Sequence, residues 1–174
     1  MDNTHILDIR PRRASEVTPE AASQIFSSIA GLKSSFIKQL LGREKPIVFE
    51  IISFDQKTHF LVHLPEEISS YIESQIAAQY PKSSLIATTD TLEERTRGKH
   101  LSFGSLRLSS PSYLPIKTWR EFTDSDPLSS VLGAMTKANE EDVILVQIVV
   151  LATGSGWQAR GARVISSGIA GPDA

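Results

Sequence analysis

The chain of 174 residues contains no cysteine and no basic excess. The absence of cysteine excludes disulfide bonds and zinc sites built on thiolates, and it suits a reducing compartment. Lysine and arginine number 18 against 20 acidic residues, which gives a net charge of −2 at pH 7. A domain that binds nucleic acid through its own surface usually carries a basic excess, so the composition disfavours that class of protein.

Long apolar runs are also absent. The longest, Val143 to Leu151, contains Gln147 and is far shorter than the roughly 18 to 20 apolar residues that cross a bilayer. We therefore interpret it as a buried strand and expect no transmembrane segment. The first residues, MDNTHILDIRPRR, lack the basic region and the apolar core of a signal peptide. The expected compartment is the cytoplasm, with any position at the inner face of the membrane reached through a partner.

The first 46 residues are predicted to form an N-terminal strand and helices. His5 to Arg10 is a short alternation that Pro11 ends, which predicts an edge strand. Thr18 followed by Pro19 is a helix-start signal, and the apolar spacing after it predicts a helix from Pro19 to about Leu32. The same period over Lys33 to Leu41 predicts a further helical turn or two before a linker.

Residues 47 to 90 are predicted to form a first α+β unit consisting of a hairpin, a helix and a returning strand. The hairpin strands are the apolar runs Ile47–Ile52 and Thr58–Leu64, with a polar turn between them. The helix begins at Glu66 and Glu67, whose charges complement the positive end of its dipole, and it ends before Pro81. Residues 85 to 87 start the returning strand.

Residues 100 to 157 repeat this order of elements and are predicted to form a second α+β unit. Its extended runs are residues 101–108 and 113–119, Asp126 and Pro127 open its helix, and Val143 to Leu151 is its returning strand. The predicted fold class is therefore α+β, with two ferredoxin-like hairpin-helix-strand units whose antiparallel sheet packs on helices. Residues 158 to 174, rich in Gly, Ala and Ser, are predicted to be a flexible tail.

His59 and His63 have the four-residue spacing of a helical zinc motif, but they lie in a predicted strand. On a strand they are roughly 13 Å apart at ~3.3 Å per residue, too far for one metal ion at about 2.1 Å from each nitrogen. We expect no metal ion there, and instead a polar sheet face or a surface for a partner. Arg10, Arg12 and Arg13 form a basic loop that contacts phosphate or acidic side chains, or is simply solvated.

Motifs for nucleotide binding and covalent catalysis are incomplete. Leu32 interrupts a phosphate-binding pattern between Gly31 and Lys33, and no serine lies in a Gly-x-Ser-x-Gly turn. Asp124 and Asp126 resemble a carboxylate pair for a divalent ion, but capping of a helix explains Asp126 without a metal. The sequence therefore predicts no cofactor and no catalytic residue.

Glu50 and Gln147 are polar residues in otherwise apolar strands. A buried polar group needs a hydrogen-bond partner, so these residues mark either satisfied core positions or an edge that faces outward. A small enzyme remains an alternative hypothesis, and it requires a site assembled from scattered residues such as Glu50, His59 and Asp124.

Four phrases of the sequence resemble a known bacterial pattern. They are HILDIRPRRASEVTPEAASQIFSSI, FEIISFDQKTHFLVHLPEEISSYIESQIAAQYPKSSL, LPIKTWREFTDSDPLSSVLGAM and DVILVQIVVLATGSGW. In this order they resemble an N-terminal domain of unknown function in bacterial proteins related to the coupling ATPases of conjugation and type IV secretion. The resemblance covers residues 5 to 157 and includes no catalytic motif.

The resemblance implies a non-catalytic accessory or scaffolding domain that acts through protein-protein contacts. The implied partner is a motor ATPase, and DNA is reached only through that partner. The residues expected to contact a partner or nucleic acid are Arg10, Arg12, Arg13, His59 and His63. A nucleic-acid-binding module is the first alternative, and the sequence leaves a homo-oligomer open.

Overall fold

The computed structural model describes residues 4–12, 18–31, 46–114, 116–122, 126, 128–151 and 156–167. The strands in these ranges are β1 (Thr4–Arg10), β2 (Ile47–Phe54), β3 (Lys57–Pro65), β4 (Ser84–Thr88) and β5 (Ile144–Val150). The α-helices in these ranges are α1 (Pro19–Gly31), α2 (Glu66–Gln79), α3 (Leu92–Thr96), α4 (Ser129–Met135) and α5 (Gly156–Ser167). A 3-10 turn spans Trp119–Glu121.

The strands form one antiparallel sheet in the order β4-β1-β3-β2-β5. The turn that joins β2 to β3 consists of Asp55 and Gln56, which have φ angles of 48° and 55°. Two consecutive residues with positive φ suit a two-residue hairpin, because such a turn matches the right-handed twist of the strands. The predicted α+β fold with an antiparallel sheet packed on helices is confirmed.

The hydrophobic core lies between one face of the sheet and helices α1 and α2. Leu7 and Phe49 are both opposite Val62, so these three side chains share the face that meets the helices. The core residues contributed by the helices are Ile25, Ile29, Ile68, Ile72 and Ile76. Their spacing of four residues places them on the same side of each helix, which is the reason that each helix packs flat on the sheet.

Strand β1 lies inside the sheet, between β4 and β3. The prediction of an edge strand is wrong, because Pro11 comes after the last paired residue and removes no hydrogen bond from either ladder. The helix predicted from Pro19 is confirmed over Pro19–Gly31. The further helical turns predicted over Lys33 to Leu41 lie outside the described residues.

The second half of the chain differs from its predicted hairpin. Residues 101–108 and the described part of 113–119 form no strand, and β5 pairs with β2 of the first unit. A strand is placed by the partner whose hydrogen bonds and side chains fit it, and this partner is not fixed by order along the chain. Helix α4 confirms the predicted helix, and the carboxylate of Asp126 accepts a hydrogen bond from the Leu128 amide at 2.9 Å.

Helix α5 occupies residues that composition predicts to be a tail. Trp157, Gly161 and Val164 have the spacing of one helix face, and Gly161 and Val164 are half-buried. A Cβ atom at Gly161 would lie 3.3 Å from Cβ of Tyr113, so the glycine allows a close approach of helix and loop. Glycine and alanine carry little hydrophobic signal, which explains why composition alone did not predict this helix.

Candidate functional site

The face of the sheet opposite helices α1 and α2 contains a polar cluster, which we define as Asp8, Glu50, His59, His63 and Gln147. Its two carboxylates are buried, its histidines are half-buried and Gln147 is exposed. The strand register places it there. Asp8 is opposite Leu61, Leu61 is opposite Glu50, and Glu50 is opposite Gln147. His59 and His63 lie two residues before and after Leu61 on β3, so alternation along the strand turns both imidazoles to the same face.

Asp8 is the centre of the first contact group. Its side chain is 6% exposed, and its Oδ2 atom lies 2.9 Å from Arg10 Nε and 3.3 Å from His59 Nδ1. Because an ionised carboxylate only accepts hydrogen bonds, this contact places the proton of a neutral His59 on Nδ1. The His59 ring also stacks on Phe54, with 4.5 Å between centroids and 7° between planes.

Glu50 is the centre of the second contact group. Gln147 donates from Nε2 to Glu50 Oε2 at 2.8 Å, and His63 Nε2 lies 3.2 Å from the same oxygen. Burial by itself raises the pKa of Glu50, but contact with His63, the hydrogen bond from Gln147 and the charge of His63 together outweigh it. The pKa of Glu50 therefore lies below its ordinary value, and Glu50 is ionised at neutral pH.

The two histidines pair with different carboxylates, Asp8 for His59 and Glu50 for His63. The described residues contain no group of three or more His, Cys, Asp or Glu side chains that could hold a metal ion. Of the residues named for the enzyme alternative, Glu50 and His59 thus contact different partners, and Asp124 lies outside the described residues.

The two carboxylates of the cluster are shielded from solvent. The side chains of Asp8 and Glu50 are 6% and 4% exposed. Two cavities described in the structure lie elsewhere, one of about 180 Å³ beside Ser53 and Met135 and one of about 310 Å³ beside Phe54 and Glu140. Acid-base catalysis needs the base within hydrogen-bond reach of a bound substrate, and neither cavity is lined by a member of the cluster.

Three buried side-chain atoms of the cluster have no hydrogen-bond partner among the described residues. They are Asp8 Oδ1, His59 Nε2 and His63 Nε2, the last of which lies 3.2 Å from Glu50 Oε2 without hydrogen-bond geometry. Each carboxylate of the cluster thus contacts a histidine, while three other polar atoms of the cluster have no hydrogen-bond partner among the described residues.

The remaining predicted contact residues lie at the periphery or outside the described residues. Arg10 is paired with Asp8, whereas Arg12 is exposed just after β1. Arg13 and Asp124 lie outside the described residues. Sequence reasoning missed Asp8, although an acid at an alternate position of an apolar strand is the same signal that identified Glu50.

These features define a class of protein: an α+β domain whose carboxylates and histidines bind one another within the sheet. The chain belongs to a family described as a domain of unknown function (DUF8128), whose model matches residues 1–166. No curated protein and no solved structure matches the chain. Among the described residues, no helix has the length and apolar character required to cross a membrane.

Proposed function

We propose that the chain is a non-catalytic accessory or scaffolding domain that acts through protein-protein contacts. The observation that supports this function is the outer edge of β5. Strand β5 ends the sheet and pairs with β2 alone among the described strands. The open edge presents backbone amides and carbonyls that a partner strand can bind.

The side chains of β5 suit such a contact because apolar residues are exposed on both faces of the strand. Ile148 lies opposite Phe49 on the helix side and is 60% exposed, and Val149 lies opposite Val48 on the other side and is 58% exposed. No residue of Ile144–Val150 is charged. Edge strands of monomeric proteins usually carry lysine, proline or a bulge that blocks pairing, and β5 has no lysine and no proline.

The buried carboxylates of the polar cluster support the non-catalytic part of the proposal. Asp8 and Glu50 are bound by Arg10, His59, His63 and Gln147 and do not line a described cavity. The proposed partner is a motor ATPase of the type IV secretion kind, with DNA reached only through that motor. This choice of partner rests on the resemblance of the four sequence phrases.

The test combines binding and turnover. The purified chain is mixed with the coupling ATPase encoded in the same genome, and complex formation is followed by size-exclusion chromatography with light scattering. We expect a complex with the ATPase and no ATP hydrolysis by the chain alone. Ile148→Lys and Val149→Lys should each weaken the complex at least about tenfold, since a charge at the edge disrupts strand addition.

Ile165→Lys is the matched control, because Ile165 is 84% exposed and belongs to α5 and not to β5. Binding that falls equally in all three variants would contradict a role for β5. ATP turnover by the purified chain would overturn the non-catalytic proposal. A dimer of the chain that Ile148→Lys abolishes would keep the edge as the contact surface and make a second copy the partner.

A further inference from the structure

One stretch of the chain differs in charge from the rest. Between Glu94 and Glu121 there is no aspartate or glutamate, although the whole chain has a net charge of −2. The charged residues of this stretch are Arg95, Arg97, Lys99, Arg107, Lys117 and Arg120, with His100 beside them. We refer to residues 95–120 as the basic-apolar segment.

The same segment exposes large apolar side chains. Phe103 and Leu106 are 101% and 104% exposed, which means that solvent surrounds the whole side chain. Leu101, Leu108 and Ile116 are 71%, 58% and 66% exposed. Residues 101–108 form neither helix nor strand, so the exposure is not that of an amphipathic element covering a core. Exposed apolar groups concentrated in one place mark a binding surface.

Three of the basic side chains are available to a ligand. Arg97, Arg107 and Lys117 are exposed and form no ion pair within the described ranges. Arg95 is different, because it pairs with Asp55 at 3.3 Å and lies over the Phe54 ring. The free positive charges thus flank the exposed leucines and phenylalanine on both sides along the chain.

We propose that the basic-apolar segment docks on an anionic phospholipid bilayer. Leu101, Phe103, Leu106 and Leu108 enter the boundary between headgroups and acyl chains, and the flanking basic residues contact lipid phosphates. Burial of apolar surface and attraction to anionic headgroups act together in peripheral membrane binding. Contact of this chain itself with lipid goes beyond the proposed protein-binding function.

Lipid fits this surface better than nucleic acid does. Four of the five exposed apolar side chains are aliphatic, and Phe103 is the one aromatic ring among them. Single-stranded nucleic acid is bound by aromatic rings that stack on bases, and leucine and isoleucine offer no such stacking. Hydrocarbon, in contrast, accommodates aliphatic and aromatic side chains equally well.

The first experiment is co-sedimentation of the full chain with phosphatidylcholine vesicles, with and without phosphatidylglycerol. We expect binding only to the vesicles that contain phosphatidylglycerol, and weaker binding as salt is raised. Arg97→Gln/Arg107→Gln/Lys117→Gln should weaken binding roughly 100-fold. Phe103→Ser/Leu106→Ser should weaken vesicle binding at least about tenfold, because it removes two apolar side chains that enter the bilayer.

Matched controls remove the same groups elsewhere. Lys82→Gln/Lys137→Gln/Arg163→Gln removes three exposed positive charges outside the segment, and Ile165→Ser removes an exposed apolar side chain on α5. We expect these controls to bind vesicles as the unmodified chain does. All the substituted residues are exposed, so thermal unfolding by circular dichroism should give unchanged midpoints.

The second experiment locates the inserted residue. Because the chain has no cysteine, Phe103→Cys and Ile165→Cys each provide one site for an environment-sensitive fluorophore. The label at position 103 should brighten on anionic vesicles and be quenched by a spin-labelled acyl chain, and the label at position 165 should do neither.

Three results would overturn the proposal. They are no sedimentation with anionic vesicles, equal loss of binding in the segment variants and their controls, and a label at position 103 that remains in water on bound vesicles. Binding of single-stranded DNA in a fluorescence anisotropy titration, lost in the Arg97, Arg107 and Lys117 variant and unaccompanied by vesicle binding, would assign the segment to nucleic acid instead.

Discussion

Gln147 donates a hydrogen bond to Glu50 at 2.8 Å, and this contact joins β5 to β2 across 97 residues of the chain. Glu50 is 5% exposed, so its carboxylate depends on protein groups for hydrogen bonds. A slip of β5 by one residue would turn Gln147 to the other face of the sheet and leave Glu50 facing an apolar side chain. The pair therefore fixes the register of the outermost strand.

Gln147→Leu is expected to lower the free energy of unfolding by about 1–3 kcal/mol, because it removes a hydrogen bond to a buried charge. Urea denaturation followed by circular dichroism measures the change. Gln79→Leu is the control, since Gln79 donates to Gln24 on the exposed surface and its loss should cost less than about 0.5 kcal/mol. Equal effects of the two substitutions would show that the Glu50 contact does not stabilise the fold.

The lowered pKa of Glu50 predicts a specific dependence of stability on pH. An unfolded glutamate titrates near ~4.3, and the folded one titrates below that value, so the unfolded chain binds more protons in this range. The stability that ionised Glu50 contributes is fully present above the unfolded pKa and is lost as the pH falls through the lower folded pKa. Denaturation curves of Glu50→Gln should show a shallower loss of stability on acidification. An identical acid dependence in the variant would contradict this assignment.

Asp8→Asn is expected to destabilise the fold by about 1–3 kcal/mol. It replaces the charged acceptor of Arg10 and His59 by a neutral one, and it buries an NH2 group at the position of Oδ1, which has no hydrogen-bond partner. Arg10→Gln should lower the free energy of unfolding less, by about 0.5 kcal/mol, since the Arg10 side chain is 58% exposed and an ion pair at the surface contributes little. Glu140→Gln, at an exposed carboxylate, is the control for the loss of one charge. Thermal and urea unfolding of the three variants rank their losses of stability. A larger loss for Arg10→Gln than for Asp8→Asn would refute the expected ranking.

Gln56→Gly should raise the free energy of unfolding by about 0.5–1 kcal/mol. Gln56 has a φ of 55°, a left-handed conformation that costs a residue with a side chain energy and costs glycine very little. Gln56→Val at the same position should destabilise the hairpin, because a β-branched side chain opposes positive φ. Melting temperatures of the two variants relative to the unmodified chain test these opposite effects on stability. A lower melting temperature in both variants would show that contacts of the Gln56 side chain stabilise the fold more than relief of its positive φ does.

Local patterns predicted most of the elements that pack on the core. The spacing of Ile68, Ile72 and Ile76 predicted α2, and the cap and proline at Thr18 and Pro19 predicted α1. These elements could be predicted because helix periodicity and end signals act within a few residues. The strands predicted over 101–108 and 113–119 were not found in the described residues. A strand is stable only when its backbone pairs with a neighbour, and these apolar residues have no partner strand, so they remain exposed coil.

The polar cluster was predicted in part. Glu50 and Gln147 were identified as polar residues in apolar strands that need partners, and the structure makes each the partner of the other. The pairing of His59 with Asp8 was not predicted, because these residues are 51 positions apart and meet only when β1 lies beside β3. Residue types in a sequence show which groups need a partner, and strand order decides which groups meet.

The sequence by itself determined the α+β class, the helices on the core face and the absence of thiol chemistry, because these follow from local periodicity and from composition. The tertiary structure decided that β1 is an inner strand, that β5 joins β2 at the edge of the sheet, and that Asp8 and Glu50 take separate histidines. Strand partners are chosen by hydrogen bonds and packing between distant residues, and those energies exist only once the chain has brought the residues together.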